Sequence, residues 1–236
     1  MMRKKMILLL LAVCLIPGIR AVAETEERNL PAFTEISLRV PATLYLEQGN
    51  EQKVTIEAGR ATLDELITEV SGRSLVVRFP AKNMLMRNFR PGKIVIRVTM
   101  PEVTALNLSG SGDILARGEI SSLILEMNVS GSGSIDLDAL TANRVKASIS
   151  GSGNILIEGD QPAAELSTSI SGSGNLIAED FEAAEVKVTI AGSGNARVYS
   201  NGNIHVKIAG SGSLYYRGNP NIDSSIAGSG SVNEMK

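Results

Sequence analysis

From residue 106 onward, apolar and polar positions alternate on either side of a recurring glycine corner. Residues 106–115 read LNLSGSGDIL, residues 147–156 read ASISGSGNIL and residues 188–197 read VTIAGSGNAR. The shared pattern is apolar, variable, apolar, small, Gly-Ser-Gly, polar, apolar. A period of two belongs to a strand with one buried face, so each repeat predicts two short strands meeting at a bend. Before the bend, Val145, Ala147 and Ile149 point inward, as do Val186, Val188 and Ile190, then Ile204, Val206 and Ile208. After it, Ile114, Ile135, Ile155, Leu176, Ala196, Leu214 and Val232 take the same inward slot.

Gly-Ser-Gly begins at Gly110, Gly131, Gly151, Gly172, Gly192, Gly210 and Gly228, so the corner returns every 18 to 21 residues. A fixed period of that length is the signature of a solenoid. The fold expected is all-β: a right-handed parallel β-helix with coils of about 20 residues and Gly-Ser-Gly corners, in which like side chains stack into ladders. An antiparallel β-sandwich also has short strands and frequent turns, but it gives no reason for one corner to recur seven times. Glycine suits the bend because a tight corner needs positive φ or close backbone approach. The residue after each bend is short and polar (Asp113, Ser134, Asn154, Asn175, Asn195, Ser213, Ser231), which predicts a hydrogen-bonded ladder supporting the corners. Helical signal is confined to one short turn near residues 62–68.

Residues 24–105 read as degenerate coils and a cap, followed by regular coils at 106–236 in one continuous domain. Residues 36–46 (ISLRVPATLYL) put Pro41, Ala42 and Thr43 in the corner slot, and residues 67–77 (ITEVSGRSLVV) put Gly72 and Arg73 there. Insertions at 48–53 and 80–93 interrupt these coils. Atypical end repeats are normal in solenoids, whose terminal coils must cover the core. No such cap is evident at the C-terminal coil, which predicts that its edge is covered by a second copy, by a partner or by the N-terminal insertions.

Residues 1–23 read as a signal peptide: Arg3, Lys4 and Lys5 precede an apolar stretch at 6–16, and Ala21-Val22-Ala23 provides a small-x-small cleavage site. That stretch is about half the length needed to cross a bilayer. The single cysteine, Cys14, lies within it, so cleavage would leave no thiol for disulfide, zinc or nucleophilic chemistry; the alternative is a lipidated Cys14. Removal of these residues takes away four of the 23 basic residues and none of the 25 acidic ones, leaving a formal charge of −6. Nucleic acid is then not an expected partner. The expected location is the periplasm, the outer-membrane surface or the exterior, with no transmembrane segment in the mature chain.

Candidate chemistry is sparse. Acidic residues follow the second strand of successive coils: Asp136 and Asp138, Glu158 and Asp160, then Glu179, Asp180 and Glu182. They predict a solvent-facing acidic strip, either solvating loops or lining a cation or sugar groove. The corners lack the nine-residue period and repeated aspartate of calcium-binding repeats. His205 is the only histidine and its alternation points it outward. No serine nucleophile with a base can be drawn, so no catalytic residue, metal ligand or cofactor is expected. Residues 73–97 are basic throughout, with Arg73, Arg78, Lys82, Arg87, Arg90, Lys93 and Arg97 and no acid, and they interleave Met84, Leu85, Met86 and Phe89. Of these, Arg73, Arg78, Lys82, Met84, Leu85, Met86, Arg87, Phe89, Arg90 and Lys93 form the candidate partner-binding surface. The competing reading makes the apolar residues a plug for the open end of the coil.

The order of a leader, an opening FTEISLRVPATLYLEQG at 33–49, repeated (I/V)-(S/A)-G-S-G-(N/D/S) corners and SLYYRGNP at 213–220 resembles one family. This is the putative auto-transporter adhesin, head GIN domain family of exported bacterial proteins. The resemblance implies a β-helical domain, and no catalytic residue is carried over from it. The function it implies is a non-enzymatic adhesin-like binding or structural module of the cell envelope with an unidentified protein or glycan ligand. A carbohydrate-binding or polysaccharide-cleaving β-helix is the alternative.

Overall fold

Each of the long strands β9 (Asp113–Gly131), β10 (Ser134–Gly151), β11 (Asn154–Gly172) and β12 (Asn175–Gly192) begins just after one Gly-Ser-Gly corner and ends at the next. A whole coil therefore runs as one bent strand. The computed structural model describes residues 23–80 and 91–235, and in it these coils pair in parallel, tier on tier. The protein is a β-solenoid, with each coil pairing its first half on a front face and its second half on a back face. Register shifts, such as that between Leu137 and Ala139, mark the bends between them.

The stacking follows from the repeat. Ile114, Ile135, Ile155, Leu176, Ala196 and Leu214 lie in register on the front, all fully buried, and Val129, Ile149, Ile170, Ile190 and Ile208 do so on the back. Burying each such branched side chain is worth about 1.5–3 kcal/mol, and a one-residue slip would turn the whole row into solvent. The coils continue through β13 (Asn195–Tyr199), β14 (Asn203–Gly210), β15 (Ser213–Arg217), β16 (Asn221–Gly228) and β17 (Ser231–Glu234). Of these, β13, β15 and β17 extend the front, and β14 and β16 the back.

The backbone ladder passes through the corners unbroken. The carbonyl of Gly131 accepts from both Ser152 N (2.9 Å) and Gly153 N (2.9 Å), and the same fork recurs up to Gly210. This geometry requires both glycines. The first has positive φ, 127° at Gly131, and a Cβ on the second, as at Gly153, would lie 2.4 Å from the Gly133 carbonyl oxygen below.

The N-terminal part closes one end. β2 (Glu35–Leu38) and β3 (Thr43–Gln48), joined through the corner at Pro41 and Ala42, form the expected degenerate coil. That coil is inserted out of sequence order. β2 lies between β6 (Ser74–Arg78) and β8 (Ala105–Gly110), and β3 lies between β7 (Val95–Met100) and β9. Residues 67–77 do not make the second degenerate coil that their alternation suggests. β5 (Ile67–Ser71) folds antiparallel on β6, with Gly72 at φ 64° in a two-residue loop. Glycine at the first position of so short a loop matches the twist of a hairpin, and the hairpin turns the chain back at the end of the back face. On the front face β4 (Lys53–Gly59) runs antiparallel to β7, and β1 (Ala23–Glu27) to β4. The short helix α1 (Arg60–Glu65) stops before β-branched Ile67 and Thr68 enter β5, three residues earlier than the sequence suggests. One hydrophobic core runs through all of this from Phe33 to Leu214.

Candidate functional site

Of the basic residues read from 73–97, the three described arginines lie on different pairings of the N-terminal strands. Arg73 sits in the β5–β6 turn and reaches Glu35 at 3.1 Å, while Arg78, at the far end of β6, is paired with Glu69 at 2.9 Å. Arg97 on β7 reaches Glu57 at 3.4 Å. Each arginine meets a carboxylate that the sequence places 9 to 40 residues away. Lys93 is exposed just before β7. Lys82, Met84, Leu85, Met86, Arg87, Phe89 and Arg90 lie outside the described residues.

The polar row after the corners is a structural ladder. Asn175 Nδ2 donates to Asn154 Oδ1 (2.9 Å), Asn195 Nδ2 donates to Asn175 Oδ1 (3.2 Å), and Asn195 Oδ1 accepts from Ser213 N (3.1 Å). Asn175 and Asn195 each spend one donor and one acceptor of the amide on the row itself, which makes it support for the corners. His205 points outward as expected, 3.2 Å from Glu185 and 3.5 Å from Asp223.

The acidic residues do stack on one side of the solenoid, but most are countered from neighbouring tiers. Arg117 binds Asp136 at 2.8 Å and also Asp138, and these two carboxylates raise its pKa, Asp136 first. Arg197 reaches Glu179 (3.4 Å), Arg217 reaches Asp180 (3.2 Å), and Asn201 Nδ2 donates to Glu182 (2.9 Å). Among the described residues no group of three or more His, Cys, Asp or Glu side chains is arranged to hold a metal ion. Asp138, Glu158, Asp160, Asp180 and Glu182 line a shallow hollow with Tyr199 and Arg217.

Beside this hollow lies a surface that the sequence reading passed over. The outward slot one residue past the buried front-face row carries, in register, Arg97, Tyr45, Leu115, Asp136, Leu156, Ile177, Arg197 and Tyr215. Five of these eight are apolar or aromatic on the solvent side of a sheet whose inner side is already full. Guanidinium groups lie over rings at three places: Arg97 over Tyr45 (5.9 Å), Arg197 over Tyr215 (6.0 Å) and Arg217 over Tyr199 (4.5 Å). Such contacts hold long side chains flat against the sheet. The signal was present in the sequence as broken alternation: Ile155, Leu156 and Ile157 are consecutive apolar residues, as are Leu176, Ile177 and Ala178. Alternation on both flanks of the corner drew attention to the buried residues and away from the apolar one between them.

The family model that matches residues 32–220 is the one described as putative auto-transporter adhesin, head GIN domain. The chain belongs to that family. Head GIN domain architecture also appears in solved structures. A crystal structure from Parabacteroides distasonis ATCC 8503, described as a putative lipid binding protein, is 26% identical with a TM-score of 0.75, over 92% of this chain and 98% of that one. A putative adhesin from Bacteroides fragilis NCTC 9343 gives a TM-score of 0.82 at 20% identity over 90% and 97% of the two chains. A putative adhesin from Parabacteroides merdae ATCC 43184 gives 0.70 at 20% identity over 92% and 98%. The last two show the shared fold alone. No curated protein matches the chain. Among the described residues, no helix of this head GIN domain is long and apolar enough to cross a membrane.

Proposed function

We propose that the protein is an exported, non-enzymatic binding module of the bacterial cell envelope, and that it engages a protein ligand through the front-face row from Tyr45 to Tyr215. The carrying observation is that Leu115, Leu156 and Ile177 occupy solvent-side slots of strands whose inner slots are filled by Ile114, Ile155 and Leu176. A sheet folds with one apolar face, so apolar residues on the second are spare for contact. Tyrosine and arginine framing an apolar centre is the composition that dominates protein–protein hot spots. The arginines are already held by carboxylates and rings, so little side-chain freedom remains to be lost on binding. The family's description as an adhesin and the leader-like residues 1–23 support the envelope placement. Carboxylates engaged by arginine are poorly suited to paired acid–base cleavage of a sugar.

The test is saturable binding to a panel of immobilised extracellular proteins, run beside a glycan array. Ile177→Asp and Tyr215→Ala should each weaken protein binding by at least about tenfold, the loss expected for an interface anchor, with an unchanged urea midpoint. Equal loss in a control substitution of exposed Leu123, or binding to glycans alone, would overturn this reading.

One observation favours a glycan as the second reading: among the described residues Glu158 and Asp160 have no ion-pair partner, and they share the acidic hollow with Tyr199. Carboxylates able to accept sugar hydroxyls beside a ring are suited to carbohydrate. In that case glycan binding would fall with Asp160→Asn and survive Ile177→Asp.

A further inference from the structure

The last described coil is a copy of an interior coil. Asn221 and Ile222 repeat Asn203 and Ile204, and residues 226–231 repeat residues 208–213 as IAGSGS. β16 lies on β14 in unbroken parallel register. Ile204 and Ile208 are 0% and 2% exposed, whereas Ile222 and Ile226, directly above them, are 38% and 41% exposed. Among the described residues nothing pairs with the outer edge of β16. The strand has one charge, Asp223, and no lysine, proline or bulge, which are the usual guards of an edge. The other exposed strands are guarded. β1 carries Glu24, Glu26 and Glu27, β5 carries Glu69, and β17 places Glu234 above Tyr216 on the inner row.

We infer that β16 pairs antiparallel with β16 of a second copy, joining two solenoids tail to tail about a two-fold axis at Ser224. The inner positions Ile222, Ser224 and Ile226 read the same in both directions. Rotation about Ser224 therefore sets Ile222 over Ile226 of the second copy and continues both apolar ladders, as an isologous interface requires. The outward-facing charges of the back face agree with this register. Asp223, 84% exposed and 3.5 Å from His205, comes to lie opposite Ser225 of the second copy and away from that copy's Asp223. Ser225 in turn lies above Lys207, a cation without a carboxylate partner among the described residues. Each Asp223 is thus brought toward the other copy's Lys207, and the pairing is made twice. A head-to-tail partner would instead offer the acidic, antiparallel strands β1 and β5, so the assembly closes at two copies.

The test is sedimentation of the full chain from low to high micromolar concentration. The expected result is a reversible species of twice the chain mass, abolished by Ile226→Lys with the urea midpoint unchanged. Asp223→Lys and Lys207→Asp should each weaken the dimer, and the double exchange should restore it. Ser224→Cys, which meets its own copy across the axis, should give a disulfide-linked dimer under mild oxidation, and Ser225→Cys should not. A monomer throughout, or a dimer indifferent to Ile226→Lys, would overturn the inference and leave the front-face reading untouched, because the two surfaces share no residue.

Discussion

Gly159 and Phe181 are neighbours in register on adjacent tiers, and the side chain missing from the first is the space taken by the second. A Cβ at Gly159 would lie 3.1 Å from the Phe181 ring and 2.2 Å from the Leu140 carbonyl oxygen. Phe181 is fully buried, the largest such side chain among the described residues, and fills the coil where Ile120 and Leu140 fill it in earlier tiers. Phe181→Ala should therefore cost about 3–5 kcal/mol, the range for emptying an aromatic site in a core, read as a lowered urea midpoint. Gly159→Leu should not rescue it, because the Leu140 carbonyl blocks the added side chain.

The corner glycines give a sharper test of the stacking. A Cβ on Gly174 would meet the Gly153 carbonyl oxygen at 2.3 Å and Ile149 Cγ2 at 2.5 Å. Neither backbone tier can yield without breaking the forked hydrogen bonds above and below. Gly174→Ala is expected to destabilise by about 3 kcal/mol or more, at the upper end for a single-methyl overpacking change, whereas Ser173→Ala at the exposed corner tip should stay within about 0.5 kcal/mol. Equal effects in urea denaturation would mean that the corners are not packed on one another.

These two sites differ in how far the sequence revealed them. The Gly-Ser-Gly period announced the corner because each repeat imposes the same steric demand, and the buried rows from Ile114 to Leu214 followed from the alternation. Phe181 carried no such signal, since its slot is filled differently in every tier. The ion pairs of the basic segment were hidden for a related reason: Arg73, Arg78 and Arg97 have no acid within residues 73–97, and Glu35, Glu69 and Glu57 reach them through pairings of β2 with β6, β5 with β6 and β4 with β7. The Gly72 hairpin was hidden because alternation on both sides of a glycine suits a hairpin as well as a coil, and only strand direction separates them. In the regular coils, by contrast, Arg117 and Asp138 are 21 residues apart, which is one coil, so their meeting was readable from the period alone.

The pair Glu165 and Lys187 ties stability to pH. Lys187 Nζ lies 2.9 Å from Glu165, and this hydrogen bond, followed by the attraction of the two charges, holds the carboxyl below its ordinary pKa and the ammonium above its own. A carboxyl depressed in the folded state contributes stability that is complete above its unfolded pKa and disappears as pH falls through the folded one. The lysine's contribution is complete below its ordinary pKa and disappears as pH rises through the raised one. Glu165→Gln should thus be slightly less stable than the parent at neutral pH, the margin being small for so exposed a pair. The difference should vanish once acid has protonated Glu165 in both states. Urea midpoints across the acid range check this, and a difference that persists below the carboxylate range would assign the effect to packing.

The asparagine ladder makes the last prediction, because it separates support of the corner from ligand binding. Asn175 both donates to Asn154 and accepts from Asn195, so each neighbour depends on it for one bond. Asn175→Ala should cost about 1–3 kcal/mol, the penalty for leaving partly buried polar groups unpaired. Asn175→Asp keeps the acceptor for Asn195 but turns an oxygen toward the oxygen of Asn154, so its loss should be large at neutral pH and smaller in acid, where a protonated carboxyl donates again. Urea unfolding at the two pH values measures the difference. A pH-independent loss would mean that the amides are not aligned, whereas an acid-relieved one shows that the amides from Asn154 to Asn195 are hydrogen-bonded to one another in support of the corners.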